Sequence, residues 1–387
     1  MRRVYLDSNA TTPLLPEVLA AMQPYFIDTF GNASSMHHSG QHARAAVDHA
    51  RESVARLLGC TANELVFTSG GTESDNLALF GVIDALPSTG EKHHIITTAI
   101  EHNAVLQSAQ ALSARPDVEL TTLRPNAQSL IEPSALEAAL RPNTRLVSVM
   151  LANNETGVIN PVGKLARIAH AAGALFHTDA VQAAGKLPIN LAGEFTNVDL
   201  LSISGHKMHA PQGTGALFVR KGIRVAPVLH GGTHERQRRA GTENVPGIVG
   251  LGAAADIART WLASEGPQQV AAHRDRLEQT LLNKIPNTGI NGAGAPRTIN
   301  TTNIYFNNVD AEALLIALDL KGIALSAGSA CQSGATEPSH VLTALGLEWP
   351  RARASVRISL SKLTTDEDID YAAETIAATV EHLRSIS

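Results

Sequence analysis

The stretch Ser202-Ile203-Ser204-Gly205-His206-Lys207-Met208-His209-Ala210-Pro211-Gln212-Gly213-Thr214-Gly215 decides how the rest of the chain is read. It continues a largely apolar run, 198–203, with the pattern of a buried strand, and places one lysine where that strand gives way to Gly and Pro. A lysine fixed at a strand end among Ser, His and Gly suits an enzyme that holds an aldehyde cofactor as a Schiff base, with hydroxyl and imidazole donors left for a phosphate. A strand-capping lysine that snorkels to water is the plainer alternative, and this stretch alone leaves both open.

Working outward, strand patterns recur at 64–68, 93–98, 118–122, 145–151, 174–178, 198–203 and 215–219, several of them separated by helical patterns such as 162–172. This alternation predicts an α/β domain with a mostly parallel sheet of seven strands flanked by helices. In such sheets ligands gather at the carboxyl ends of the strands. The polar clusters Ser69-Gly70-Gly71-Thr72-Glu73-Ser74, Glu101-His102-Asn103, Asn153-Asn154-Glu155-Thr156-Gly157, Asp179-Ala180-Val181-Gln182 and Ser204 to Lys207 all follow strands, which sorts them to one end and predicts a site there.

Each cluster has a physical role and a plainer reading. Gly70-Gly71-Thr72 before a helix makes a phosphate cradle from backbone N–H groups and the helix dipole, or an ordinary N-cap. His102 could lie against an aromatic cofactor or move protons, or be a hydrogen-bonded structural residue. Asp179 ends an apolar run, and its carboxylate needs a partner. A protonated pyridine nitrogen would supply a charge-assisted bond of about 1.5–3 kcal/mol, while a helix N-cap is the alternative. Gln182, three residues on, would share its face and reach a ring oxygen.

Composition bounds these readings. The chain has 387 residues, 44% hydrophobic content and a net charge of −5, enough for a large core and a second domain. Neither a basic stripe nor an acidic tail occurs, so nucleic acid and membrane surfaces are not expected partners. The start reaches a charge before any signal-like apolar region, and no apolar run approaches the roughly 20 residues of a membrane helix, so a cytoplasmic protein is expected. Cys60 and Cys331 are the only cysteines and lie in different settings, which argues against a disulfide framework. Cys60 follows Gly59, the stop of a helical pattern over 41–58, and is expected to be a small buried residue. Sixteen histidines include His37-His38 and His93-His94 but no His-Glu-x-x-His spacing, so no metal is expected. A short strand at 4–6, a helix from about Pro16 and a final helix over 366–383 complete the outline. Residues 265–269 read as a linker. We expect a large domain over 15–260 and a smaller α+β domain made of 1–14 and 261–387.

The strings Tyr5-Leu6-Asp7-Ser8-Asn9-Ala10-Thr11-Thr12, Gly31-Asn32-Ala33-Ser34-Ser35, Thr68 to Ser74, Asn153 to Gly157 and Ser204 to Lys207 resemble those of cysteine desulfurases of the NifS/IscS kind, pyridoxal 5'-phosphate enzymes of the class V aminotransferase family with fold type I. The resemblance continues through Gly231 to Glu235, Arg239 to Asn244 and Gly328-Ser329-Ala330-Cys331 to Arg357-Ile358-Ser359-Leu360, and so covers essentially the whole chain. It implies that Lys207 carries the cofactor, Asp179 pairs with its pyridine nitrogen, Gln182 contacts its ring hydroxyl, and His102 stacks on the ring and assists proton transfer. Gly71, Thr72, Ser204 and His206 would hold the phosphate, and Thr242 would reach the phosphate of the second subunit in a homodimer. Asn154 would touch cofactor and substrate, and Arg357 would clamp the carboxylate of L-cysteine. Cys331, in the loop-like stretch Ser326 to Ala335, would accept sulfur as a persulfide, with alanine released and the sulfur passed on to iron–sulfur cluster assembly or another acceptor. A free thiol near pKa 8.5 is only about 3% ionised at pH 7, so this loop must favour the thiolate. Family members often have Pro where this chain has Ala33 and Ala where it has Gly71; neither change removes a functional side chain. Glu337-Pro338-Ser339-His340-Val341 resembles the nitrogenase-associated branch. The end at Ser387 leads to the expectation that no long scaffold-docking tail follows. Selenocysteine lysis, another pyridoxal phosphate activity, or a sulfur-carrier subunit working by docking are the alternative functions.

Overall fold

Near-continuous apolar runs bounded by turn residues form strands covered on both faces, and they assemble the centre of this molecule. The computed structural model describes residues 2–87, 90–328 and 339–386. Its strands are β1 (Val4–Tyr5), β2 (Leu65–Thr68), β3 (His93–Thr98), β4 (Val118–Leu123), β5 (Thr144–Ser148), β6 (Leu175–Asp179), β7 (Leu200–Ser204), β8 (Gly215–Val219), β9 (Thr288–Ile290), β10 (Thr301–Phe306), β11 (Ile323–Ala324) and β12 (Ser355–Ser359). Seven of them form one sheet in the order β2-β8-β7-β6-β5-β3-β4. Only β8 runs antiparallel to its neighbours, β2 and β7. All seven expected strands are therefore present. The run expected over 145–151 stops as a strand at Ser148, yet Val149 N–H and Leu151 N–H still donate to His177 and Asp179 carbonyls, so the chain keeps following β6 toward the site.

The two edges of the sheet are managed differently. β4 is buried only at its end residues, Val118 and Leu123, and carries Glu119, Thr121 and Thr122 between them, the polar dressing of an edge strand. β2 is buried throughout, and its outward backbone groups are met by side chains: Arg51 and Arg238 donate to Leu65 O, and Phe67 N–H donates to Glu235 Oε2. Arg51 and Glu235 hold each other by two bonds of 2.8 and 2.6 Å.

The helix His38–Leu58 ends at Gly59, whose φ of 66° is the left-handed C-cap expected there. It packs on the helix Val245–Leu262 so closely that a Cβ at Gly252 would lie 2.6 Å from Ala50 Cα. Leu and Val side chains of both helices join the core under the large sheet. A separate core collects Val4, Leu6, Val270, Leu277, Ile304, Ile358 and Ile376 around the three-stranded sheet β12-β10-β9 and the helices Gly266–Lys284 and Asp366–Ile386. The stretch 265–269 is not a linker: from Gly266 it is the first turn of a helix, which Pro267 fits because its missing N–H lies where no helical bond is needed. Cys60 is only partly buried, although burial still pushes its thiol up to about 12.

Candidate active site

The carboxyl ends of β2, β6 and β7 converge on a cavity of about 210 Å³. Each strand delivers its polar cluster there. After β2 the chain turns at Gly70 (φ 152°) into the helix Gly71–Asp84, so the first N–H groups of that helix, at Gly71 and Thr72, border the cavity. Gly215, at the start of antiparallel β8, is opposite both Thr68 and Ser204. A Cβ on it would lie 2.6 Å from Ile203 O and 2.7 Å from Gly70 Cα, so glycine is what lets the cradle close down on the sheet.

Asp179 closes β6 and is buried, with Oδ1 accepting from Val181 N–H at 2.8 Å. It therefore both caps the turn and lines the cavity. Burial raises its proton affinity, opposed by His102 and Lys207. His102 is likewise double: its Nδ1 accepts from Ala104 N–H at 3.1 Å and caps the helix Asn103–Ser113, while the ring lines the cavity. Burial lowers its pKa, so the ring is neutral near pH 7 and its proton sits on Nε2. Ser204 closes β7 and His206 follows it, accepting or donating at 3.1 Å to Thr11 Oγ1 through Nδ1. Burial and the neighbouring Lys207 charge push His206 down to about 4.

Lys207 is half-buried, and its Nζ donates to the carbonyls of Asn9 and Ala10, each at 2.6 Å. The ammonium is held by the N-terminal segment rather than snorkelling. Arg357, on β12, is only 1% exposed. Its Nη2 donates to Asp7 Oδ1 at 2.7 Å and its Nη1 to Asn154 O at 3.1 Å, so a substrate carboxylate would share this fork with Asp7. Asn154 is buried in the same wall. Gln182 lines the cavity as well, with Nε2 donating to Asn9 O at 2.9 Å. Thr242 is exposed and does not line the cavity. Cys331 lies outside the described residues.

Sequence reasoning left several residues of this wall without a role. Asn9 sits in the N-terminal segment and accepts from Lys207 and Gln182 while donating to Asn154. Asp75 is one turn past Gly71 on the same helix face, a spacing that could have placed it in the cavity. Burial and the adjacent Asp179 charge raise its pKa well above the carboxylate range. Lys186 and Glu101 are buried as well; Glu101 fell within a polar cluster at a strand end but was given no role, and no signal in the sequence marked Lys186.

The donor set fits an aldehyde cofactor with a phosphate and a basic ring nitrogen. The wall offers an amine, a helix N-terminus beside a hydroxyl and an imidazole, and a buried carboxylate. Three buried side-chain atoms of the lining, Asn154 Oδ1, Asp75 Oδ1 and Arg357 Nε, have no hydrogen-bond partner among the described residues. Among the described residues no group of acidic, His or Cys side chains could hold a metal ion, and no helix is long and apolar enough to cross a membrane.

Known proteins share this architecture. A family model described as aminotransferase class-V matches residues 4–372. A cysteine desulfurase of Trichormus azollae is 49% identical over 387 residues, covering 100% of this chain and 95% of that protein. A solved NifS-like protein superposes with a TM-score of 0.90 at 36% identity, covering 98% of this chain and all of the other. A structure described as SspA in complex with cysteine gives a TM-score of 0.81 at 35% identity, with 94% of this chain and 100% of the other covered. The chain belongs to the class-V aminotransferase family, and within it is an enzyme of the NifS/IscS cysteine desulfurase type.

Proposed function

We propose that this enzyme uses pyridoxal 5'-phosphate to move sulfur from L-cysteine to Cys331, releasing L-alanine. The observation that carries the reading is the meeting of Lys207, Asp179, His102 and Arg357 around one cavity at the carboxyl ends of the strands. When bound, the cofactor supplies an electron sink for the bond changes at Cα and Cβ of the substrate. Lys207 anchors its aldehyde carbon. Gly71 and Thr72 N–H groups, with Ser204 and His206, would hold its phosphate, and the buried Asp179 carboxylate would pair with its ring nitrogen, whose positive charge it would stabilise. His102 covers the ring, and Gln182 donates to the ring oxygen. Arg357 and Asn154 fix the substrate carboxylate and so the direction in which Cβ and its sulfur point. The Cys331 thiolate takes the substrate sulfur. The electron pair of the broken Cβ–S bond stays on carbon, which gains a proton and becomes the methyl group of alanine. One thiol has then become a persulfide with no outside oxidant.

The division into 15–260 and 1–14 with 261–387 is supported by the two separate cores, the second of which takes Val4 and Leu6 from the N-terminal segment. A homodimer is supported by large apolar side chains left exposed at Phe26, Ile27, Phe30 and Met36, and Thr242, which is exposed, would serve the partner's phosphate. An acceptor protein in iron–sulfur cluster assembly, reached in the cytoplasm, completes the proposed role.

The test pairs wild type with Cys331→Ala and Lys207→Ala. Cys331→Ala is expected to keep the visible absorption of the bound cofactor and its response to L-cysteine, yet form no alanine, while Lys207→Ala loses the lysine-linked absorption. Alanine and sulfide formed by Cys331→Ala at the wild-type rate would replace the persulfide route with an elimination.

A further inference from the structure

We infer that Lys186 is a positioning residue that fixes the orientation of the Gln182 amide and thereby the N–H that this amide offers to the cofactor's ring oxygen. The inference rests on the cofactor reading given above and extends it to a residue outside the expected site. Lys186, Gln182 and Asn9 are all buried. Lys186 Nζ donates to Gln182 Oε1 at 2.8 Å, and Gln182 Nε2 donates to Asn9 O at 2.9 Å. The turn that brings the lysine back over the glutamine passes through Gly185, whose φ of 74° lies in the left-handed region.

The two ends of an amide have nearly the same shape and opposite hydrogen-bonding sense. A backbone carbonyl can only accept, and an ammonium can only donate, so Asn9 O and Lys186 Nζ select the same one of the two orientations. In that orientation one amide hydrogen is spent on Asn9, and the second remains for a ligand in the cavity that Gln182 lines. Asn9 is itself immobilised: Asn300 Nδ2 and Lys186 Nζ donate to its Oδ1 at 3.1 and 3.4 Å, and its Nδ2 donates to Asn154 O and Thr301 Oγ1 at 3.1 and 2.9 Å. Lys207 Nζ donates to the same Asn9 carbonyl that Gln182 uses. One short network thus joins the cofactor lysine, the ring-oxygen donor and, through Asn154 O, Arg357.

The setting is unfavourable for a lysine kept only for packing. No hydrogen bond or ion pair to a carboxylate reaches Lys186 among the described residues, and burial, with the charges of Lys207 and Arg357, pushes its pKa well below the usual lysine range. His209 also feels its charge. Methionine would fill the same space without this cost. Charged or neutral, the amine has an N–H to donate, and with Gln182 Nε2 held by the acceptor-only Asn9 carbonyl it is Oε1 that faces it.

The test uses the reconstituted holoenzyme without substrate and reads the pH midpoint of its visible absorption band in wild type, Lys186→Met, Gln182→Leu and the double variant. Loss of a donor to the ionised ring oxygen raises that midpoint, by roughly one pH unit for one hydrogen bond. Both single variants are expected to shift upward, and Lys186→Met should add nothing on the Gln182→Leu background. Lys186→Gln, which retains a donor without the charge, should stay near wild type. An equal shift from Lys186→Met with and without Gln182 means that the lysine acts through space by charge, and overturns the inference; so does no shift in Lys186→Met. Absence of any lysine-linked band in wild type instead sinks the cofactor reading itself, and the inference with it.

Discussion

Glu101 shows how a single buried carboxyl can be a structural part of this site. Its Oε1 accepts from Thr98 Oγ1 and from Met150 N–H, both at 2.8 Å, tying the end of β3 to the chain leaving β5, while Oε2 is buried without a partner. Burial pushes its pKa up to about 8, against an ordinary value near 4.5. The folded state therefore holds a proton that the unfolded chain gives up between those two values. Stability from this group is full below about pH 4.5 and is lost as pH rises toward 8, at a limiting slope of about 1.4 kcal/mol per pH unit. Glu101→Gln keeps the Oε1 acceptor and cannot ionise. Denaturant unfolding at pH 5 should find the two proteins within about 1 kcal/mol of each other, and at pH 8 the variant should be more stable than wild type by a few kcal/mol. A constant difference across that range would show that Glu101 is ionised in the fold. His177 has the opposite sign: burial pushes it down to about 3, so its contribution is lost as pH falls below its ordinary value near 6.5.

At the scale of elements, one antiparallel strand in a parallel sheet sets the floor of the site. β8 lies between β2 and β7, and its first residue, Gly215, has no room for a side chain between Ile203 O and Gly70 Cα. Gly215→Ala must push the Ser69–Gly70 turn or the end of β7 aside. We expect a loss of about 1–3 kcal/mol in thermal unfolding and at least tenfold weaker retention of the cofactor on dialysis. Gly71→Ala has a softer neighbour, Val181 Cγ2 at 2.8 Å from the added Cβ, and should cost less than Gly215→Ala in both measurements. Equal losses for the two would show that the cradle, not the strand start, is the tight point.

For the whole molecule, the proposal is that the site is finished by a second copy. Ile27, Phe30 and Met36 are 76%, 75% and 91% exposed, although they lie on a chain with a well-filled core. Ile27→Glu with Phe30→Glu should shift the mass in sedimentation from dimer to monomer, and because Thr242 would then lose its partner's phosphate, cofactor affinity should fall about tenfold, or about 1.4 kcal/mol. A wild type that sediments as a monomer would remove the dimer from the proposed function.

Local pattern determined much of this protein. Runs of Val, Ile, Leu and Phe bounded by Gly, Asn and Asp mark all seven sheet strands, and the rule that ligands collect at strand carboxyl ends gathers Gly71, Thr72, His102, Asn154, Asp179, Gln182, Ser204, His206 and Lys207 from sequence alone. Those residues are legible because each sits at or shortly after the end of a strand whose own pattern is local. Tertiary structure decided the rest. Asp7 and Arg357 are 350 positions apart, Asn9 meets Lys207 and Gln182 across more than 170, and Lys186 has its role only because a glycine turn folds it back onto Gln182. Helical and strand periods describe which face a residue occupies within its own element, whereas a hydrogen bond between distant segments depends on how the two cores pack, which no period encodes.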